Sequence, residues 1–162
     1  TGKTDKLFEP NTNLSRADLV LWLYNMSRDK APEYKDTFKD VSKTDSFCDA
    51  VSWASGKGIV KGLGNGYFGP NMNITRQDMA TMIDRYLNVE KINLPAVNSS
   101  ALFKDSSKIS SYAASSVARV KSCGLINGKP GNIFDPLSNS SRGEMAQILS
   151  KLLTLTDKTD KK

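Results

Sequence analysis

The chain has no histidine, and its two cysteines, Cys48 and Cys123, lie far apart in a sequence of 162 residues. These shortages remove much chemistry. Without an imidazole there is no ordinary proton acceptor poised near neutral pH. No serine or cysteine stands in a motif with the partners a nucleophile needs, so the sequence predicts a non-enzyme that can still be the anchoring part of a larger enzyme. Two distant cysteines and no histidine offer no metal-ligand spacing, and no metal or cofactor is expected. Both thiols are expected to be free, buried small side chains, although sequence alone leaves a disulfide between them open. No apolar run approaches the ~20 residues that cross a bilayer. Aromatic residues make up only 8%, and they are not interleaved with basic ones, which argues against a nucleic-acid surface. There is no signal peptide, but the chain begins without Met and inside a repeat, which reads as processing or truncation upstream.

What is present is repetition. Phe68-Gly-Pro-Asn-Met-Asn-Ile-Thr-Arg-Gln-Asp-Met79 has counterparts in Phe8-Glu-Pro-Asn-Thr-Asn-Leu-Ser-Arg-Ala-Asp-Leu19 and Phe134-Asp-Pro-Leu-Ser-Asn-Ser-Ser-Arg-Gly-Glu-Met145. The arginines Arg16, Arg76 and Arg142 recur at a nearly constant interval, and a period of this kind sets the architecture. Ser15, Thr75 and Ser141 occupy N-cap positions, with Asp18, Asp78 and Glu144 at N3 as in a capping box. Leu14 with Leu19, and Ile74 with Met79, have the spacing of a hydrophobic staple, which Ser140 breaks in the third copy. Behind each cap, apolar residues recur with a period near 3.6: Leu19, Trp22, Leu23 and Met26; Met79, Met82, Ile83, Tyr86 and Leu87; Met145, Ile148, Leu149, Leu152 and Leu153. An arginine at N1 opposes the helix dipole by about 0.3–1 kcal/mol. Either each arginine pairs with the acid two positions on or solvates, or all three face an anion at helix starts. The second reading is preferred.

A second half-repeat runs from Phe38-Lys-Asp40-Val41 through Phe47, Ala50, Val51 and Ala54 to Gly58-Ile-Val-Lys-Gly62. It returns as Phe103-Lys-Asp105-Ser106, then Ala113, Ser116, Val117 and Val120, then Gly124-Leu-Ile-Asn-Gly128. Gly58 and Gly124 read as left-handed residues that end helices. Gly64-Asn-Gly66 is a turn signal. The unit is thus helix, Gly-rich loop, capped helix. Residues 1–28 form a partial first repeat, 37–88 the second and 102–154 the third, together one domain over 1–154. Residues 155–162 are read as a polar, disordered tail, whose lysines look like a solvated end. Thr1-Gly2 aligns with the end of the missing first half, whose absence leaves an apolar helix face without its partner. The segments 29–36 and 88–100 are linkers.

Together these motifs resemble the S-layer homology domain family, over nearly the whole chain from Gly2 to about Leu153. The resemblance rests on Phe38-x-Asp40-Val41, Ala50-Val51-x-Trp53-Ala54, Gly58-Ile59-Val60-x-Gly62, Phe68-x-Pro70 and Ile74 to Ala80, with third-repeat matches at Phe103, Asp105, Gly124 to Ile126, Gly128, Phe134, Pro136 and Ser141 to Ala146. It implies a mainly α, pseudo-threefold repeat domain with a central helix bundle and short Gly-rich loops. It implies a secreted, cell-surface module bound without covalent bonds to acidic, pyruvylated secondary cell-wall polysaccharide in grooves between repeats. The family's groove arginine carries over to Arg16, Arg76 and Arg142. Trp53 is a candidate sugar-stacking face or else a core residue, and it aligns with Arg119, so the grooves are not equivalent. Gly62 and Gly128 either let ligand approach the backbone or simply shape turns. An upstream segment is expected to complete the first repeat. The net charge of +6 also favours acidic partners.

The alternative function is a structural module for S-layer or protein–protein assembly. A calcium loop at 64–75 is disfavoured, because it lacks the alternating acids and the closing bidentate carboxylate.

Overall fold

A computed structural model describes residues 7–27, 29–30, 32–97 and 102–159, with side chains as far as 156. The expectations placed on Gly2, on Arg28, on the last linker residues and on the end of the lysine tail lie outside these residues. Five α-helices follow one another: α1 Arg16–Ser27, α2 Cys48–Gly56, α3 Arg76–Val89, α4 Ser111–Ser122 and α5 Arg142–Thr159. Only isolated β-bridges join the described loops.

The capped helices start where the boxes place them. Asp18 N donates to Ser15 Oγ at 3.0 Å and Ser15 N to Asp18 Oδ2 at 3.3 Å. Ser141 and Glu144 repeat the exchange at 3.1 and 2.9 Å. Thr75 is the N-cap of α3 and accepts from Asp78 N. A sequence pattern alone would leave these three caps independent, but the backbone ties them into a closed ring. Leu14 N donates to Ser140 O (2.8 Å), Ser140 N to Ile74 O (2.9 Å), and Ile74 N to Leu14 O (3.0 Å). Each N1 amide then reaches the neighbouring copy: Arg16 N to Met72 O, Arg76 N to Ser138 O and Arg142 N to Thr12 O. The pseudo-threefold arrangement is therefore a hydrogen-bonded fact of the loops that precede the helices, and α1, α3 and α5 leave this ring sharing one core through Leu19, Leu23, Met79, Ile83, Met145 and Ile148. Helix-on-helix packing is closest outside the bundle, where α2 lies along α1 and α4 along α3.

Ser140 takes the place that Leu14 and Ile74 hold in the other copies. All three are fully buried, and Ser140 Oγ has no hydrogen-bond partner among the described residues. An unpaired buried hydroxyl costs ~1–3 kcal/mol. Ser140→Ala is expected to raise stability by about 1 kcal/mol, read as a higher midpoint in urea unfolding; a lower midpoint would show that the hydroxyl is satisfied.

The aspartates of the two first half-repeats fasten their own repeat's second half. Asp40 accepts from Phe68 N and Gly69 N, both at 2.7 Å, and Asp105 from Phe134 N and Asp135 N at 2.8 and 2.7 Å. Burial pushes the Asp105 carboxyl up, but the amide donors outweigh it and hold the group below its ordinary value. Gly58 and Gly124 adopt φ of 73° and 75° just past α2 and α4, as read from sequence. The segment 29–36 is irregular but pinned: Tyr34 Oη donates to Val41 O, and Lys35 N to Ser52 Oγ.

One boundary differs from expectation. α5 does not stop near 154 but continues to Thr159. Leu155 packs against the core, and Thr156 Oγ1 bonds back to Leu152 O. One more apolar contact extends a helix that the polar composition suggested would fray.

Candidate ligand grooves

The three arginines are the most deeply placed charges in the described chain. Arg16, Arg76 and Arg142 are 5%, 4% and 2% exposed. Each Nε donates to the carbonyl of the Phe that opens the next copy of the motif: Arg16 to Phe68 O (2.9 Å), Arg76 to Phe134 O (2.8 Å), Arg142 to Phe8 O (3.1 Å). Each guanidinium also lies 5.1–5.3 Å from the centroid of that same ring, within cation–π range. Arg76 pairs with Glu144, and Arg142 with Asp18 at 3.5 Å. Burial lowers the Arg16 pKa, against the opposing pull of Asp78. The acid partner is therefore not the one two positions on in the same helix, as the pairing alternative had it. For Arg76 and Arg142 it is the N3 acid of the next copy, and for Arg16 the corresponding Asp78 acts through its charge, so the arginines latch the ring shut.

Two of these latches also form the floors of surface grooves. The first has a volume of about 300 Å³, with Arg16 at its base, Lys61 and Gly62 on the second repeat's loop, Asp78 and Arg85 on α3, and Tyr112 from α4. The second, about 220 Å³, sets Arg76 against Gly128 and Lys129, with Glu144, Gln147 and Lys151 on α5. Apart from Tyr112, each residue lining the first groove has its counterpart one repeat on in the second, so Arg85 answers to Lys151, Gly62 to Gly128, Lys61 to Asn127 and Leu63 to Lys129. Arg85 donates to Ile59 O at 3.2 Å and Lys151 to Gly124 O at 3.4 Å, which holds both cations along the groove wall. Lys61 has no polar side-chain partner among the described residues, whereas Lys129 is already paired with Asp135. Tyr112 closes the first groove alone. Its hydroxyl donates to Asp78 Oδ1 at 2.7 Å, and burial, then that bond, push the phenol up to about 12, so it stays neutral at neutral pH. The first groove thus gathers three cations around one acid, with one of the cations unpaired among the described residues.

Other expected site residues fall elsewhere. Trp53 is a core residue at 3% exposure, bonded through Nε1 to Asp29 at 2.7 Å and tilted against Tyr24 and Tyr86, and it lines neither groove. Gly62 and Gly128 do line the grooves, yet their reason for lacking a side chain is internal. A Cβ on Gly62 would sit 2.6 Å from Phe38 Cε1 and 2.7 Å from Tyr67 O, and one on Gly128 2.7 Å from Phe103 Cε1. Ser15, Thr75 and Ser141 act as caps. Sequence reasoning missed Lys61, Arg85 and Tyr112. Arg85 was legible as the next cation on α3 after Arg76, lying between the apolar stripe positions Met82 and Tyr86; Tyr112 was not, because nothing in the pattern says that α4 crosses the preceding repeat's acid.

The family model described as S-layer homology domain matches residues 37–80 and 102–146, more than half the chain. The chain belongs to the S-layer homology domain family. Similar proteins include an amylopullulanase of Thermoanaerobacterium thermosulfurigenes, 32% identical over 94% of this chain and 8% of that protein. An exoglucanase of Acetivibrio thermocellus is 31% identical over 94% of this chain and 14% of that protein. An S-layer protein of Bacillus anthracis is 32% identical over 76% of this chain and 14% of its own length. The chain thus spans a small fraction of the relatives it matches. What proteins named as enzymes and proteins named as S-layer components share with it is this S-layer homology module, the non-catalytic part. No helix among the described residues is long and apolar enough to cross a membrane.

Proposed function

We propose that this chain anchors a secreted protein to the bacterial cell wall without covalent bonds, by holding acidic, pyruvylated secondary cell-wall polysaccharide in the grooves at Arg16 and Arg76. The observation that carries the reading is the first groove, where Arg16, Lys61 and Arg85 surround a single acid, Asp78. A concave site with converging cations concentrates an anionic ligand, and a guanidinium edge offers paired donors to a carboxylate. The buried arginines are fixed by their latch bonds and give up little freedom on binding. Lys61 supplies the charge that a ligand carboxylate can reach. The relatives' names, which mix glycan-degrading enzymes with S-layer proteins, support a shared surface address rather than a shared reaction.

The test is co-sedimentation with isolated Gram-positive cell wall, before and after its secondary polysaccharide is stripped. Binding lost on stripping supports a glycan anchor. Binding that survives stripping assigns the module to protein–protein or S-layer assembly instead.

A further inference from the structure

The outer faces of α2 and α4 are covered unequally. Beside α2, the segment 29–36 lays Tyr34 against the core. Its hydroxyl donates to Val41 O at 2.9 Å, and Lys35 N donates to Ser52 Oγ at 3.4 Å. Cys48 and Ser52, one turn apart on α2, are buried at 8% and 6% exposure. Burial pushes the Tyr34 phenol up, and the charges of Asp36 and Asp45 add to the shift, so this ring sits among acids. In the third repeat the same two helix positions are Ala114 and Ala118, and both are exposed. The sequence supplies no matching ring: Tyr34 stands four residues before Phe38, and Ser99 stands four before Phe103. Against α4 there is instead a cradle of about 370 Å³. Phe103 and Val117 are its buried floor, Leu102 and Ile109 line it further, and Arg119 and Lys121 bring the charge; no acid among the described residues lines it.

We propose that the cradle on α4 is a docking site for a tyrosine of a partner polypeptide, set in an acidic stretch. The second repeat shows the shape of the occupant, because its own phenol lies at the matching place. The third repeat keeps the hydroxyl's acceptor too. Ser106 O stands where Val41 O does; it accepts from Ile109 N at 3.1 Å, and a carbonyl has a second lone pair. A ring with a polar tip suits a cradle that is apolar at its floor and offers a carbonyl at one end. The flanking charge follows from the exchange of acids for cations. Arg119 is held by Asp84 at 3.0 Å, while Lys121 reaches Asn132 at 3.3 Å and lies 3.9 Å from the centroid of the Phe103 ring. A carboxylate beside the incoming tyrosine meets these cations, whereas a lysine there is repelled. No residue of the cradle lines either ligand groove, so a protein partner and a glycan can be held at once.

A peptide titration tests this without any glycan, so its outcome is separate from that of the anchoring reading. The probe is the hexapeptide Ala-Pro-Glu-Tyr-Glu-Asp, which is residues 31–36 with Lys35→Glu. Added to the isotope-labelled chain, it is expected to give saturable amide shifts clustered in 102–122. Alanine in place of the peptide's tyrosine should weaken binding by about tenfold or more, the loss of one buried ring. The unaltered hexapeptide, with its lysine, should bind about threefold more weakly, as suits an exposed charge contact. Ala118→Glu, at an exposed helix position, should weaken binding at least tenfold and leave the melting midpoint in place. No saturable shift, or binding indifferent to Ala118→Glu, overturns the proposal, and equal binding of the lysine peptide overturns the acidic preference. Binding of p-cresol as tight as that of the peptide would overturn it by assigning the cradle to a free aromatic ligand. A concentration-dependent dimer of the chain that Ala118→Glu dissociates in sedimentation would overturn it too, by assigning the face to a second copy.

Discussion

Replacing Arg76 by alanine is expected to lower stability by about 3 kcal/mol, and with it the thermal midpoint by roughly 10 °C for a chain of this size. Three losses combine. The Nε bond to Phe134 O is a charge-assisted bond to a buried carbonyl, worth ~1.5–3 kcal/mol. The stem is packed at 4% exposure, and its removal leaves a void beside the Phe134 ring. Glu144 loses its partner, a smaller effect because it is about one-third exposed. Arg76→Lys should recover less than half, since an ammonium keeps the charge but lacks the Nε donor and the planar face. Circular dichroism melts of the two variants check this; an unchanged midpoint for Arg76→Ala would show that the latch is not structural. The consequence for function is direct. Loss of wall binding in an arginine variant does not by itself identify a ligand contact, because the same side chain closes the ring.

Gly62→Ala is expected to cost about 3–4 kcal/mol, from strain and overpacking together. Its φ of 72° is worth ~1–2 kcal/mol of strain for a residue with a Cβ. The added carbon would also meet Phe38 Cε1 at 2.6 Å and Tyr67 O at 2.7 Å, an overpacking of ~1–3 kcal/mol in which one neighbour is backbone. Gly128→Ala should cost less, because its backbone is not in the left-handed region and Ile133 O stands at 3.0 Å. Gly64→Ala, at φ 99° with open space around it, should show the conformational cost alone. Urea titrations of the three should therefore rank Gly62 above both others. If Gly64→Ala proved as damaging as Gly62→Ala, the close approach of Phe38 would not be what demands the glycine.

Much of the fold was legible because its signals are local. Capping boxes at Ser15, Thr75 and Ser141 and glycines at 58 and 124 act within a few residues, and periodicity near 3.6 marked the buried faces of α1, α3 and α5. The ring was not legible in detail, since Leu14, Ile74 and Ser140 meet through backbone bonds that span whole repeats. The arginines were singled out for the right reason, that local physics does not explain a cation at N1. Their explanation is nevertheless a tertiary one, a carbonyl and a ring supplied by the next repeat. Trp53 shows the converse. Its alignment with Arg119 was visible, but its burial against Tyr24 and Tyr86 depends on how α2 lies on α1. Lys61 and Tyr112 became site residues only through placement, because a lysine after Val60 and a tyrosine at the start of α4 carry no pattern of their own.

The most direct measurement is the affinity for purified pyruvylated wall polysaccharide at fixed salt, comparing the unaltered chain with Lys61→Glu and with Lys104→Glu as a charge-matched change outside the grooves. Lys61 is exposed and without a polar partner among the described residues, so its replacement should leave the melting midpoint in place. The account predicts a loss of about tenfold for Lys61→Glu, or ~1.4 kcal/mol, and little change for Lys104→Glu. Equal weakening by both variants would mean that only overall charge attracts the glycan, and no weakening by either would place the binding site outside the Arg16 groove.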